Sequence, residues 1–200
     1  SPRNQYVSKV FQQCNFATLL FDLMTAPEEE LDNHTGELRF NLNFLAKRII
    51  GATNWIQSNP VLKDLQIGFF GASTGGGGAL LSTCLLAPTT KVFAVVSRGG
   101  RPDMVGEHLK DIATPTLLVV GGNDTDVLRM NRVALQQMVK CPTKQLVVIP
   151  NASHLFPEPG CLEQVATISK QFFLDQIKTM GGDTHSTTSG VAKGVVGIAM

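Results

Sequence analysis

Continuous apolar runs of strand length that alternate with stretches of helical periodicity constrain this chain more than any other feature. Phe16-Ala17-Thr18-Leu19-Leu20-Phe21 reads as a buried strand, and so does Leu65-Gln66-Ile67-Gly68-Phe69-Phe70. Residues 92–96, 116–120 and 145–149 repeat the pattern. Between them Leu45, Ile49, Ala52 and Ile56 recur at helical spacing, with Asn59-Pro60 closing that helix. Further helices are expected over about 76–86, 127–139 and 162–177, and Glu28-Glu29-Glu30 reads as the solvated start of another. Strands without polar alternation need cover on both faces, so the expected class is α/β, a mostly parallel sheet with helices on either side.

Two hundred residues suit one domain with a substantial core. A 43% hydrophobic and 16% charged composition is that of an ordinary globular protein, and a net charge of +1 gives no pull toward nucleic acid or an acidic membrane. No window reaches eighteen uninterrupted apolar residues. Cys14, Cys84, Cys141 and Cys161 are scattered without a CxxC pair, so they are read as reduced small hydrophobes, and a cytoplasmic location is the default expectation. The first residue is Ser1, without an apolar leader, which leads to the expectation of a processed or cut chain. Residues 1–180 are expected to form the core, 181–190 a polar loop or linker, and 191–200 a further strand of the same domain.

The chemistry centres on Gly71-Ala72-Ser73-Thr74-Gly75. GxSxG arises often by chance, but here it joins a predicted strand to a predicted helix, the context in which it forms a nucleophile turn. The turn exposes Ser73 at a helix N-terminus, where the Thr74 N–H can stabilise developing negative charge. A phosphate loop is the competing reading of the glycines, yet Ala79-Leu80 stands where Lys-Ser/Thr would be needed. A serine needs a base. His34, His108 and His185 lie in polar or amphipathic stretches, whereas His154 follows directly on a predicted strand, where α/β sheets assemble their sites. The acid should leave the preceding strand, in Gly121-Gly122-Asn123-Asp124-Thr125-Asp126; Asp124 is favoured, with Asp126 expected to cap the next helix. No metal-ligand spacing occurs, and the chemistry needs no metal or organic cofactor.

These stretches, with Ser1-Pro2-Arg3-Asn4, Thr35-Gly36-Glu37-Leu38-Arg39-Phe40, Ser97-Arg98-Gly99-Gly100-Arg101-Pro102-Asp103 and His154-Leu155-Phe156, make the chain resemble the dienelactone-hydrolase-like branch of the α/β hydrolases along nearly its whole length. Dienelactone hydrolases carry cysteine at the elbow, so Ser73 implies a general esterase or related acyl hydrolase with a small ester-like substrate. Catalysis would rest on Ser73, Asp124 and His154, with Thr74 in the oxyanion hole. A non-catalytic scaffold that binds a ligand or partner is the alternative. Arg98 and Arg101 are candidates for a substrate carboxylate, or for salt bridges among themselves and Asp103; Glu37 and Arg39 are read in the same way. Neither nucleic acid nor a membrane is an expected partner. The resemblance also implies a strand ahead of Ser1, between the strands at 16–21 and 65–70, followed by a loop that supplies an oxyanion donor. Residues 192–199 look like that strand transposed to the other end, so residues 195–199 are expected in the sheet centre, as in a circular permutation. A frayed tail on a truncated fragment is the competing expectation.

Overall fold

A computed structural model describes residues 1–180 and 194–199. The element order is α1 (Pro2–Gln12), β1 (Phe16–Phe21), α2 (Ala26–Thr35), α3 (Leu42–Ser58), β2 (Ile67–Ala72), α4 (Thr74–Leu85), β3 (Val92–Arg98), a 3-10 segment (Pro102–Asp111), β4 (Thr116–Gly121), α5 (Thr125–Gln137), β5 (Lys144–Ile149), α6 (Cys161–Met180) and β6 (Gly194–Ala199). The six strands form one sheet in the order β1-β6-β2-β3-β4-β5, and every neighbouring pair is parallel. This is an α/β architecture, a parallel sheet with helices on both faces.

Alternation along each strand divides the core between two faces. Ile67, Phe69, Val95, Leu118 and Val195 point toward the layer that includes Leu45, Ile49, Leu80, Leu109 and Ala134. Phe70, Ala94, Val96, Leu117, Val119 and Val196 point toward Val7, Phe11, Val165 and Phe173, from α1 and α6. Strands buried on both sides explain why the sequence shows unbroken apolar runs rather than alternation.

The last strand in the chain occupies the centre of the sheet. Val195 pairs with Ala17 on one side and Ile67 on the other. The expectation of a parallel strand at 195–199 between the first two is met, and a frayed tail does not describe residues 194–199. Residues 181–193, which include the expected loop or linker at 181–190, and Met200 lie outside the described residues.

Element ends differ where tertiary contacts override local signals. Leu65 and Gln66 belong to the turn before β2, which runs on through Gly71 and Ala72 into the elbow. α4 starts at Thr74, two residues before the expected Gly76. α1 was not anticipated, because its inward positions mix Asn4 and Ser8 with Val7 and Phe11; the Ser8 hydroxyl reaches the Thr18 hydroxyl at 2.8 Å. The acidic start at Glu28 belongs to α2, where the Thr25 N–H donates to Glu28 Oε2 at 2.8 Å in a capping box. Among the described residues no helix is long and apolar enough to cross a membrane.

Candidate active site

Parallel strands bring the loops at their carboxyl ends to one edge of the sheet, and the three residues singled out in the sequence lie on three such loops. Ser73 follows β2, Asp124 follows β4 and His154 follows β5.

Ser73 has φ 52° and ψ −126°, a region disfavoured for any residue with a side chain. The turn is held from both sides, since the Ser73 N–H donates to the Arg98 carbonyl (3.1 Å) and the Arg101 N–H donates to the Ser73 carbonyl (3.2 Å). It is tight enough to demand glycines around it. A Cβ on Gly71 would stand 2.4 Å from the Gly75 carbonyl oxygen, and one on Gly76 would stand 2.3 Å from Ser97 Oγ. Thr74, the first residue of α4, has an N–H that its position leaves without an intrahelical acceptor.

His154 Nδ1 donates to Asp124 Oδ2 at 2.6 Å. The Asp124 side chain is only 15% exposed, so this charge-assisted bond is largely shielded from water. Asp124 occupies the N-cap position of α5, yet its side chain makes no cap bond there. The expectation that Asp126 caps this helix is corrected. The helix begins at Thr125, which puts Asp126 in its first turn with a side chain 84% exposed and 3.8 Å from Arg129. Among the described residues Ser73 Oγ makes no hydrogen bond, so no direct bond joins it to His154. Of the other histidines, His34 bonds the Glu30 carbonyl on α2 and His108 lies exposed on the 3-10 segment. His185 lies outside the described residues.

The turn at residues 98–101 touches both halves of the site. Gly99 has φ 51°, and a Cβ there would stand 3.5 Å from both Cε1 and Nδ1 of the His154 ring. Fully buried Asn131, on α5, donates to the Gly100 carbonyl at 2.9 Å. A polar residue in the apolar stripe of α5 beside Leu128 and Ala134 was the available signal for it.

The arginines part ways. Arg101 is forked onto Asp103, Nε to Oδ1 at 2.9 Å and Nη2 to Oδ2 at 2.8 Å, the internal salt bridge that was one of its two expected roles. Asp103 holds the Arg101 guanidinium above its usual range. Arg98 is only 6% exposed, and its Nη1 is buried without a partner among the described residues. Burial, and then the nearby charge of Arg3, push Arg98 down to about 10, so it remains cationic at neutral pH. Arg39 is tied to Asp32, whose Oδ1 also accepts the Leu38 and Arg39 N–H groups at 2.7 and 3.0 Å. Those bonds outweigh the effect of burial and hold the Asp32 carboxyl below its ordinary value. This cluster closes the loop between α2 and α3 and is structural.

No protein-family model matches the chain. A dienelactone hydrolase from Anabaena variabilis, known from its crystal structure, is 52% identical, with a TM-score of 0.81 over 88% of this chain and 79% of that one. Est1E from Butyrivibrio proteoclasticus shares the fold at 17% identity and a TM-score of 0.58, over 68% of this chain and 71% of that one. Among curated proteins, one from Mycobacterium tuberculosis named "Putative phosphoribosyl transferase" is 48% identical over 179 residues. That match takes in 88% of this chain, which spans only 38% of the length of the curated relative.

Proposed function

Since the chain belongs to the dienelactone-hydrolase-like branch of the α/β hydrolases, we propose that it is a serine hydrolase cleaving an ester-like acyl bond. The observation that carries this reading is the 2.6 Å bond from His154 Nδ1 to Asp124, at the sheet edge where Ser73 sits on its strained turn. With its Nδ1 proton held by the carboxylate, the imidazole keeps Nε2 free to accept the Ser73 proton. Ser73 Oγ then attacks the carbonyl carbon, and the Thr74 N–H stabilises the resulting oxyanion. Collapse releases the alcohol, protonated by His154, and leaves an acyl-serine. Water activated by the same histidine hydrolyses it and restores the enzyme.

Of the two arginines, Arg98 is the candidate for a carboxylate on the substrate, because among the described residues its cation has no acidic partner and its backbone borders Ser73. Phosphoribosyl transfer finds less support. The name belongs to proteins of which this chain spans 38%. The glycines that a phosphate loop would need face protein, since a Cβ on Gly77 would meet the Arg101 carbonyl oxygen at 2.7 Å and one on Gly78 the Leu45 side chain at 3.2 Å.

Labelling with a fluorophosphonate probe, followed by peptide mapping, tests the reading. The adduct is expected on Ser73 and is expected to vanish in Ser73→Ala. An unmodified wild-type protein would leave the non-catalytic scaffold as the better account.

A further inference from the structure

Asn131 lies two helical turns beyond Asp124 on α5, and its amide joins its own helix to a carbonyl outside it. One Nδ2 hydrogen goes to the Val127 carbonyl one turn back (2.8 Å), the other to the Gly100 carbonyl (2.9 Å). These partners settle the orientation of the amide, because the flipped form would set oxygen against two oxygens. The consequence is that Asn131 Oδ1 is buried without a partner among the described residues. An orphaned acceptor in a helix face otherwise lined by Leu128 and Ala134 is unfavourable for packing alone. It is accounted for by the need of the Gly100 carbonyl for a donor.

We propose that Asn131 is a positioning residue that fixes the 98–101 turn and, through it, both Ser73 and His154; this rests on the serine-hydrolase reading. The contacts close a ring. α5 carries Asp124 at its start, Asp124 holds His154, the His154 ring packs on Gly99, and Gly100 returns to α5 through Asn131. Seven residues at 100° each bring Asn131 back to within about 20° of Asp124 around the helix, so one rigid element sets both ends of the ring. Ser73 is tied to the same turn by its N–H to Arg98 and its carbonyl to Arg101. The turn has little room to shift inward, since a Cβ on Gly100 would stand 1.8 Å from Ser97 Oγ. With the latch removed, the turn is free to move outward and carry the nucleophile and base apart.

Asn131→Ser isolates the latch. A serine hydroxyl can bond back to Val127 as Thr53 does to Ile49 (2.8 Å) and Ser169 to Val165 (2.6 Å), but it cannot reach Gly100. Asn131→Leu removes both bonds and the orphaned oxygen, and serves if the serine variant is poorly folded. Three measurements are made on the wild type and both variants: the rate of fluorophosphonate labelling, kcat and KM for p-nitrophenyl acetate, and the downfield proton NMR signal and pH titration of His154. The expected result is a labelling rate and kcat lower by roughly tenfold to a hundredfold, KM within about twofold, and a broadened or shifted Nδ1 proton. Unchanged labelling, kcat and His154 signal with only a lowered Tm would overturn the proposal and make Asn131 structural. If the wild type takes no label, the hydrolase reading fails separately, and the His154 signal still decides whether Asn131 sets the ring.

Discussion

Exchanging the Asp124 carboxylate for an amide, Asp124→Asn, removes the acceptor that lies 2.6 Å from His154 Nδ1 while keeping the shape of the side chain. Two effects add. A hydrogen bond to a charged group contributes about 1.5–3 kcal/mol, which at about 1.4 kcal/mol per factor of ten is roughly ten- to 150-fold in rate. The amide can also donate its own N–H to Nδ1, which moves the ring proton to Nε2 and blocks the nitrogen that must act as base. In the Ser-His-Asp template that tautomer error takes the total to about 10⁴. The expected loss in kcat therefore lies between about 10² and about 10⁴, with little change in KM because Asp124 is bonded to the His154 ring and its side chain is only 15% exposed. Asp126→Asn is the internal control, since its carboxylate is 84% exposed and 3.8 Å from Arg129, and it should stay within about twofold. Steady-state hydrolysis of p-nitrophenyl acetate and the labelling rate at several pH values measure both. A larger effect from Asp126→Asn, or an Asp124→Asn enzyme within about threefold of wild type, would refute the assignment.

Two further outcomes concern stability. Ser73→Gly should abolish labelling yet raise the unfolding free energy by about 1 kcal/mol, because glycine relieves the φ 52° strain at some entropic cost; denaturant melts that show destabilisation would argue against a strained elbow. Val196→Ala should cost about 2 kcal/mol, since the fully buried Val196 pairs with Thr18 and Gly68 across both neighbouring strands. A change below about 0.5 kcal/mol in the same melts would mean that β6 does not fill the centre of the sheet.

Much of this molecule is legible in one dimension because strands buried on two faces advertise themselves as unbroken apolar runs. Residues 16–21 and 116–120 could be placed within a residue of their observed ends for that reason. The elbow was legible too, since only small residues tolerate its turn and glycines are visible in a sequence. Chain order and strand position then singled out His154. Other features depend on partners distant in sequence. α1 was missed because its inward face mixes Asn4 and Ser8 with apolar residues, and Ser8 becomes intelligible only once Thr18 lies beside it. Asp124 and Asp126 are the same residue type two positions apart; the start of α5 turns one toward His154 and the other into solvent. Arg98 and Arg101 look equivalent until Asp103 takes one of them and burial isolates the other. Pairing between strands is a long-range choice: the family resemblance pointed to a central place for β6, but the register that sets Val195 against Ala17 and Ile67 is decided only in the assembled sheet.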